Sequence, residues 1–300
     1  MKKLNTGIVL AFSAGVCWGV MGVAAQYLFD FFSFTPEGLV ALRLVAAGAI
    51  ILLAQSIFCR VNVFRPMLEA RNLRDILLYG LESGLMQYTF FLAIAESNAG
   101  TAAVLSGAIP LFLLLWQVKK DRRLPTFIEL FSLGLACLGI VLLVTRGDLS
   151  SLNFSAMGVV MGLASALFGA MCSEQPKAVL GRLGPVLVTG WGLLAGGLMM
   201  LALSPKGAFT AVWTLESSLC CALVVLVGTV FAFVLYLASL GRIPTPVAGL
   251  LSCSEPLTAV ILTAALLGTR FQGAELAGAA CIIACVILIS RCCAEHSRAN

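Results

Sequence analysis

Charge is scarce in this chain. Asp, Glu, Lys and Arg together make up 11% of its 300 residues, against roughly 25% in a soluble domain. That is too little to coat a water-soluble fold of this length. Histidine is almost absent, with His296 in the tail as the single copy. Eleven cysteines are present, yet none has the spacing of zinc ligands, so no metal site is expected. The chain has no glycine-rich phosphate loop and no nucleophile–histidine pair, so ATP-driven transport and membrane catalysis lack a basis. No cofactor is implied, and an enzyme is not expected. No loop is long enough for a soluble domain, and no long charged tail exists to serve a sensor or scaffold.

The remainder is apolar. Hydrophobic residues make up 60% of the chain. They fall in runs long enough for a hydrocarbon core of about 30 Å. The runs extend from about Gly7 to Tyr27, Pro36 to Phe58, Asp75 to Ala95, Thr101 to Val118 and Thr126 to Thr145. After the loop Arg146–Ser151 come Ala156 to Gln175, Pro185 to Leu203 and Leu215 to Ser239. The stretch Thr245 to Ser290 holds two more, separated by Gly268-Thr269-Arg270. Read as ten spans, the chain is an all-α integral membrane protein that meets the lipid bilayer along nearly its whole length. The first run is too long for a signal peptide and is echoed later in the chain. Cys281 and Cys285 share a helix face, where small-residue packing is the simplest reading.

Lys and Arg orient the spans. With the N-terminus inside, fifteen basic residues fall in cytoplasmic segments and three, Arg146, Lys206 and Arg270, outside; Arg43 lies within a span. A miscounted span would destroy that asymmetry. Both termini are therefore expected in the cytoplasm. The net charge of +5 reflects orientation, not nucleic-acid binding.

The chain also repeats. A shift of 146 lays Ser106 on Ser252, Pro110 on Pro256 and Glu129 on Glu275. A shift of 150 lays Gly19 on Gly169 and Met21 on Met171. The halves are 1–150 and 151–300. Five spans is an odd number, so the halves must cross the membrane in opposite senses. Inverted repeats place a site near the midplane, at broken helices; Pro110 and Pro256 are the candidate breaks.

Polar residues inside the spans are the candidate site. Glu255 sits within an apolar run and is followed by Pro256, which withdraws one backbone donor and frees a carbonyl near Ser252. A carboxylate there costs about 3 kcal/mol on insertion scales, so it marks function by default. It either binds a substrate amine or carries a coupling proton, or it satisfies the freed backbone. Arg43 either snorkels outward, pairing with Glu37 or a helix end, or holds a substrate carboxylate. Glu82 is read as an interfacial acid, with Gln87 and Tyr88 following it. Glu174 is expected to pair with Lys177. Trp18, Tyr236 and Trp191 are bundle packing or cavity walls. Gly15, Gly19, Gly22, Gly192, Gly196 and Gly197 allow close helix packing. Such small-residue faces also leave a homodimer open.

Trp18-Gly19, Arg43, the Ser-Glu-Pro triplet at 254–256 and Leu-Gly-Thr-Arg at 267–270 together resemble the drug/metabolite transporter superfamily, in its EamA-like branch. The likeness covers essentially the whole chain. That family commonly carries Gly-Glu-Arg where this chain has Gly268-Thr269-Arg270, and the first-half counterpart is Lys120-Asp121-Arg122. The resemblance implies a ten-helix bundle of two inverted repeats that moves small metabolites, often amino acids, usually outward. One Arg with one or two acids suits a zwitterion or a neutral polar metabolite. An exporter of cationic drugs, leaning on Glu255 and Glu82, is the alternative; a channel or a non-transporting scaffold ranks below both. Spans 1, 3, 4, 6, 8 and 9 are expected to line the path.

Overall fold

The computed structural model describes residues 2–60, 62–122, 124, 126–145, 155–203, 211–240, 242–243, 248, 251 and 254–299. The elements among them are all helical. The first half holds α1 (Lys2–Phe32), α2 (Pro36–Phe58), α3 (Ala70–Glu96), α4 (Ala99–Ser106), α5 (Ile109–Asp121) and α6 (Phe127–Thr145). The second holds α7 (Ala156–Glu174), α8 (Lys177–Leu183), α9 (Pro185–Leu203), α10 (Leu215–Val225), α11 (Ala232–Leu240), α12 (Ser254–Leu267) and α13 (Gly273–Ala299). A 3₁₀ turn, Arg65–Leu68, precedes α3, and a π-helical segment, Leu226–Phe231, joins α10 to α11.

The helix ends follow local chemistry. Thr35 caps α2, its Oγ1 accepting from Gly38 N at 3.2 Å, with Pro36 opening the helix. Asn98 caps α4 through Thr101 N at 2.8 Å. Thr214 and Ser217 form a reciprocal capping box at α10. Gly268, at φ 67°, follows the last residue of α12, where a side chain would be strained. The fourth run is interrupted at Gly107-Ala108, and Pro110 stands in the first turn of α5, where its missing N–H costs nothing.

Among the described residues, six helical stretches are long and apolar enough to cross a membrane: Asn5–Phe32, Pro36–Phe58, Ala99–Trp116, Ala156–Glu174, Pro185–Leu203 and Leu215–Ser239. Leu130–Gly139, Ser254–Leu267 and Gly273–Cys285 are shorter apolar helices. Helix α3 is not among them, because Arg71, Arg74, Asp75 and Glu82 dilute its apolar character. Its 27 residues nonetheless extend about 40 Å at 1.5 Å per residue. The loop Arg146–Ser151, expected to divide the halves, lies outside the described residues.

Helices α2 and α9 touch backbone to backbone. A Cβ on Gly48 would lie 2.6 Å from Leu194 N and 2.8 Å from Gly190 O. On Gly197 it would lie 2.6 Å from Val45 N. Helix α3 crosses α9 at Gly80 and Gly196 in the same way. The expectation of close packing therefore applies to Gly196 and Gly197. Gly22 differs: a Cβ there meets nothing closer than 3.6 Å. Leu28, Leu39, Leu44, Phe91, Ile94 and Leu193 fill the core between α1, α2, α3 and α9. Val9, Leu53, Phe131, Leu138 and Ile261 point outward, as lipid as solvent permits.

Polar ties join the helix ends. Arg182 of α8 donates to Asp75 Oδ2 at 2.6 Å and to Asn72 Oδ1 at 2.9 Å, both on α3. Trp191 Nε1 donates to Val63 O at 2.9 Å and its ring meets Phe64 edge-on. Another set ties the α1–α2 turn to the start of α10. There Val212 N donates to Phe32 O, Trp213 packs on Phe34, and Tyr27 donates to Glu216 Oε1 at 2.6 Å.

Candidate functional site

Arg43 is the largest fully buried side chain, 1% exposed, and sits on the inner face of α2. The snorkelling alternative is thereby overturned: its neighbours come from α1 and α3, so the guanidinium points into the bundle and not toward Glu37 or the surface. Nη1 donates to Met21 Sδ on α1. Phe91 on α3 covers one face of the guanidinium, its ring centroid 4.8 Å from Cζ. Nε has no hydrogen-bond partner among the described residues.

Glu255 comes from the other half. The described part of this run begins at Ser254, which leaves Glu255 in the first turn of α12. Pro256 follows it, and a proline, lacking the N–H, is tolerated in a first turn. The positive end of the helix dipole favours a carboxylate at that position. Ser254 Oγ donates to Phe12 O at 2.8 Å, and Gly19 lies against the Glu255 carbonyl, where a Cβ would approach to 2.7 Å. Helix α1 thus carries the Ser254-Glu255-Pro256 turn on its back. Glu255 and Arg43 are electrostatic neighbours. They are not in ion-pair contact within 4.0 Å among the described residues.

Trp18 precedes Gly19 and is half-buried. Its ring packs edge-on to Phe233 at 5.9 Å and against Tyr236 at 5.5 Å, both on α11. It therefore packs within the bundle. Gly228, in the π-helical segment, lies directly against the Met21 side chain. Thr229 in the same segment donates to Val224 O at 3.2 Å, across five residues.

The other candidates fall elsewhere. Glu82 is half-buried on α3, its electrostatic neighbours being Tyr79 and Cys172, and its Oε2 has no hydrogen-bond partner. Gln87 is half-buried one turn further on. Ser106 is buried and satisfied by its own helix, donating to Ala103 O at 3.2 Å. Pro256 is buried in α12. Ser252 lies outside the described residues. Glu174 pairs with Lys177, as expected from their spacing. Reasoning from sequence missed Met21, Phe91 and the π segment, and the Arg182 tie to α3. Only the glycine at 228 inside an apolar run signalled a close approach.

Residues 5–145 and 156–291 each match the model of the EamA-like transporter family. The chain belongs to the EamA-like transporter family. It is 33% identical over its full length, and the relative's, to the uncharacterized inner membrane transporter YicL of Salmonella typhimurium. It is 26% identical to the uncharacterized inner membrane transporter YedA of Escherichia coli K12, over 86% of this chain and 82% of the other. With the threonine/homoserine exporter RhtA of Salmonella typhimurium it shares 27% identity over 82% of this chain and 79% of that one. A solved crystal structure at 16% identity superposes with a TM-score of 0.63, covering 95% of this chain and 96% of its own, and shows the fold alone. This EamA-family transporter therefore holds one buried cation, Arg43, with one acid, Glu255, as its electrostatic neighbour and no ion pair between them among the described residues.

Proposed function

We propose that this EamA-family protein exports small zwitterionic metabolites, amino acids first among them, across the inner membrane. It works by alternating access between two inverted five-helix halves, 1–150 and 151–300, ten spans in all, with both termini cytoplasmic. The observation that carries this reading is Arg43: a fully buried guanidinium with Glu255 as its electrostatic neighbour, but with no ion pair to it and no partner for Nε among the described residues. Burying an unpaired charge costs several kcal/mol per ion, roughly, unless something pairs with it. A cargo carboxylate at Arg43 would supply the missing partner. The threonine/homoserine exporter among the relatives supports the same cargo class.

Glu255 is assigned the coupling proton. It belongs to a turn pinned to α1 by Ser254 and Gly19, so a change of charge there acts directly on the first span. Proteoliposomes loaded with a panel of amino acids and small amines test this. Wild type is expected to move protons with cargo, and Glu255→Gln to exchange cargo without proton movement. Equal proton-coupled flux in both proteins would make Glu255 structural. One observation favours a cationic cargo instead, namely the unpartnered Oε2 of Glu82. Flux of amines lacking a carboxylate, abolished by Glu82→Gln, would establish that reading in place of the first.

A further inference from the structure

We infer that Met21 sets the specificity of this transporter by occupying the Arg43 position that the cargo's carboxylate takes. The inference rests on the proposed zwitterion site and adds to it the residue that must yield. The argument begins with the weakness of the observed contact. Arg43 is 1% exposed, and its Nη1 donates to a thioether, one of the poorest acceptors a protein offers. Its Nε donates to nothing among the described residues. A guanidinium prefers a carboxylate that takes two parallel hydrogen bonds. With Phe91 closing one face, the edge holding Nη1 is where an incoming anion would bind, and Met21 Sδ is already there.

Met21 is suited to give way. Methionine is unbranched, with three rotatable bonds, and repacks easily. Behind it lies Gly228, so close that a Cβ there would overlap Met21 Cβ, Cγ and Sδ. Gly228 belongs to the π-helical segment Leu226–Phe231, and such segments often mark functional sites within longer helices. One turn before Met21, Trp18 packs on Phe233 and Tyr236 just beyond that segment. A carboxylate that moves Met21 off Arg43 therefore presses on the middle of the eighth span from the first.

Two substitutions separate this role from packing. Met21→Leu keeps the volume and removes the acceptor; Met21→Gln supplies a better acceptor that stays. In proteoliposomes, the KM for labelled threonine should fall about fivefold in Met21→Leu and rise about fivefold or more in Met21→Gln, as one weak competing hydrogen bond is removed or strengthened. The KM values for threonine methyl ester and 1-amino-2-propanol, which lack the carboxylate, should stay high and unchanged. A variant-independent measurement accompanies these: wild type labelled at its methionine methyl groups, in which the Met21 resonance should shift with threonine and not with the ester. Equal KM values in the two variants, or an unmoved Met21 resonance with saturating threonine, would reduce Met21 to packing. Transport of the ester as fast as the acid would overturn the carboxylate role and leave the transporter standing. Failure of every carboxylate and amine in the panel to move would overturn the cargo class and this role together.

Discussion

Substituting Gly48 by alanine tests the packing on which the bundle depends. The added Cβ would lie 2.6 Å from Leu194 N, 2.8 Å from Gly190 O and 2.9 Å from Leu194 Cα. All three are backbone atoms of α9, so no side chain can rotate aside. Helices α2 and α9 must separate by several tenths of an ångström along a crossing where Gly197 also touches Val45 N. Overpacking of this kind costs about 1–3 kcal/mol. Alanine returns about 1 kcal/mol through its helix propensity. The net expectation is a loss of about 0–2 kcal/mol, seen as a fall of up to several degrees in the thermal midpoint of the detergent-solubilised protein. The control is Gly134→Ala on α6, where a Cβ meets nothing within 4 Å; there only propensity acts, and the midpoint should hold or rise. Equal midpoints for the two variants would refute the backbone contact between α2 and α9.

Replacing Arg43 with methionine removes a buried charge that no carboxylate contacts; carboxylate cargo flux should vanish while the thermal midpoint holds or rises, and retained flux would remove Arg43 from the site. Asp75→Asn weakens the charge-assisted bonds from Arg182 and Arg74. Both arginines reach solvent, so the expected loss is about 1 kcal/mol. A double-mutant cycle with Arg182→Gln measures it, and additivity of the two substitutions would show that the tie contributes nothing. Thr214→Val deletes the capping box at α10 and should cost about 1 kcal/mol, read as faster amide exchange at Ser217 than in wild type; unchanged exchange would count against the cap.

The membrane class and the family were legible before any coordinates, because lipid demands long apolar helices whatever the tertiary arrangement. The cation and the acid of the site were legible for a related reason: ionisable residues are rare inside spans, so Arg43 and Glu255 stand out. Where the environment of each lay was not. Arg43 two turns into a span reads equally well as a snorkelling side chain or a buried one, since helical periodicity does not say which neighbour covers the face. Glu255 reads as mid-run by composition, while the helix described from Ser254 holds it in its first turn. Helix α3 reads as a span by length and fails as one by hydropathy, since Arg71, Arg74, Asp75 and Glu82 interrupt its apolar run.

Composition and hydrophobic period alone decide that this chain lives in a bilayer, and charge bias suggests which way it faces. Both are properties summed along the chain, so they need no knowledge of contacts. The meeting of Arg43 with Met21 and Phe91, and its approach to Glu255 from the far half, joins residues up to 212 positions apart in sequence. Met21 is one of nine methionines, and nothing in its local sequence distinguishes it. Only the docking of α1 between α2 and the π segment puts its sulfur against the guanidinium, because three helices must converge before a thioether acquires a cation for a neighbour.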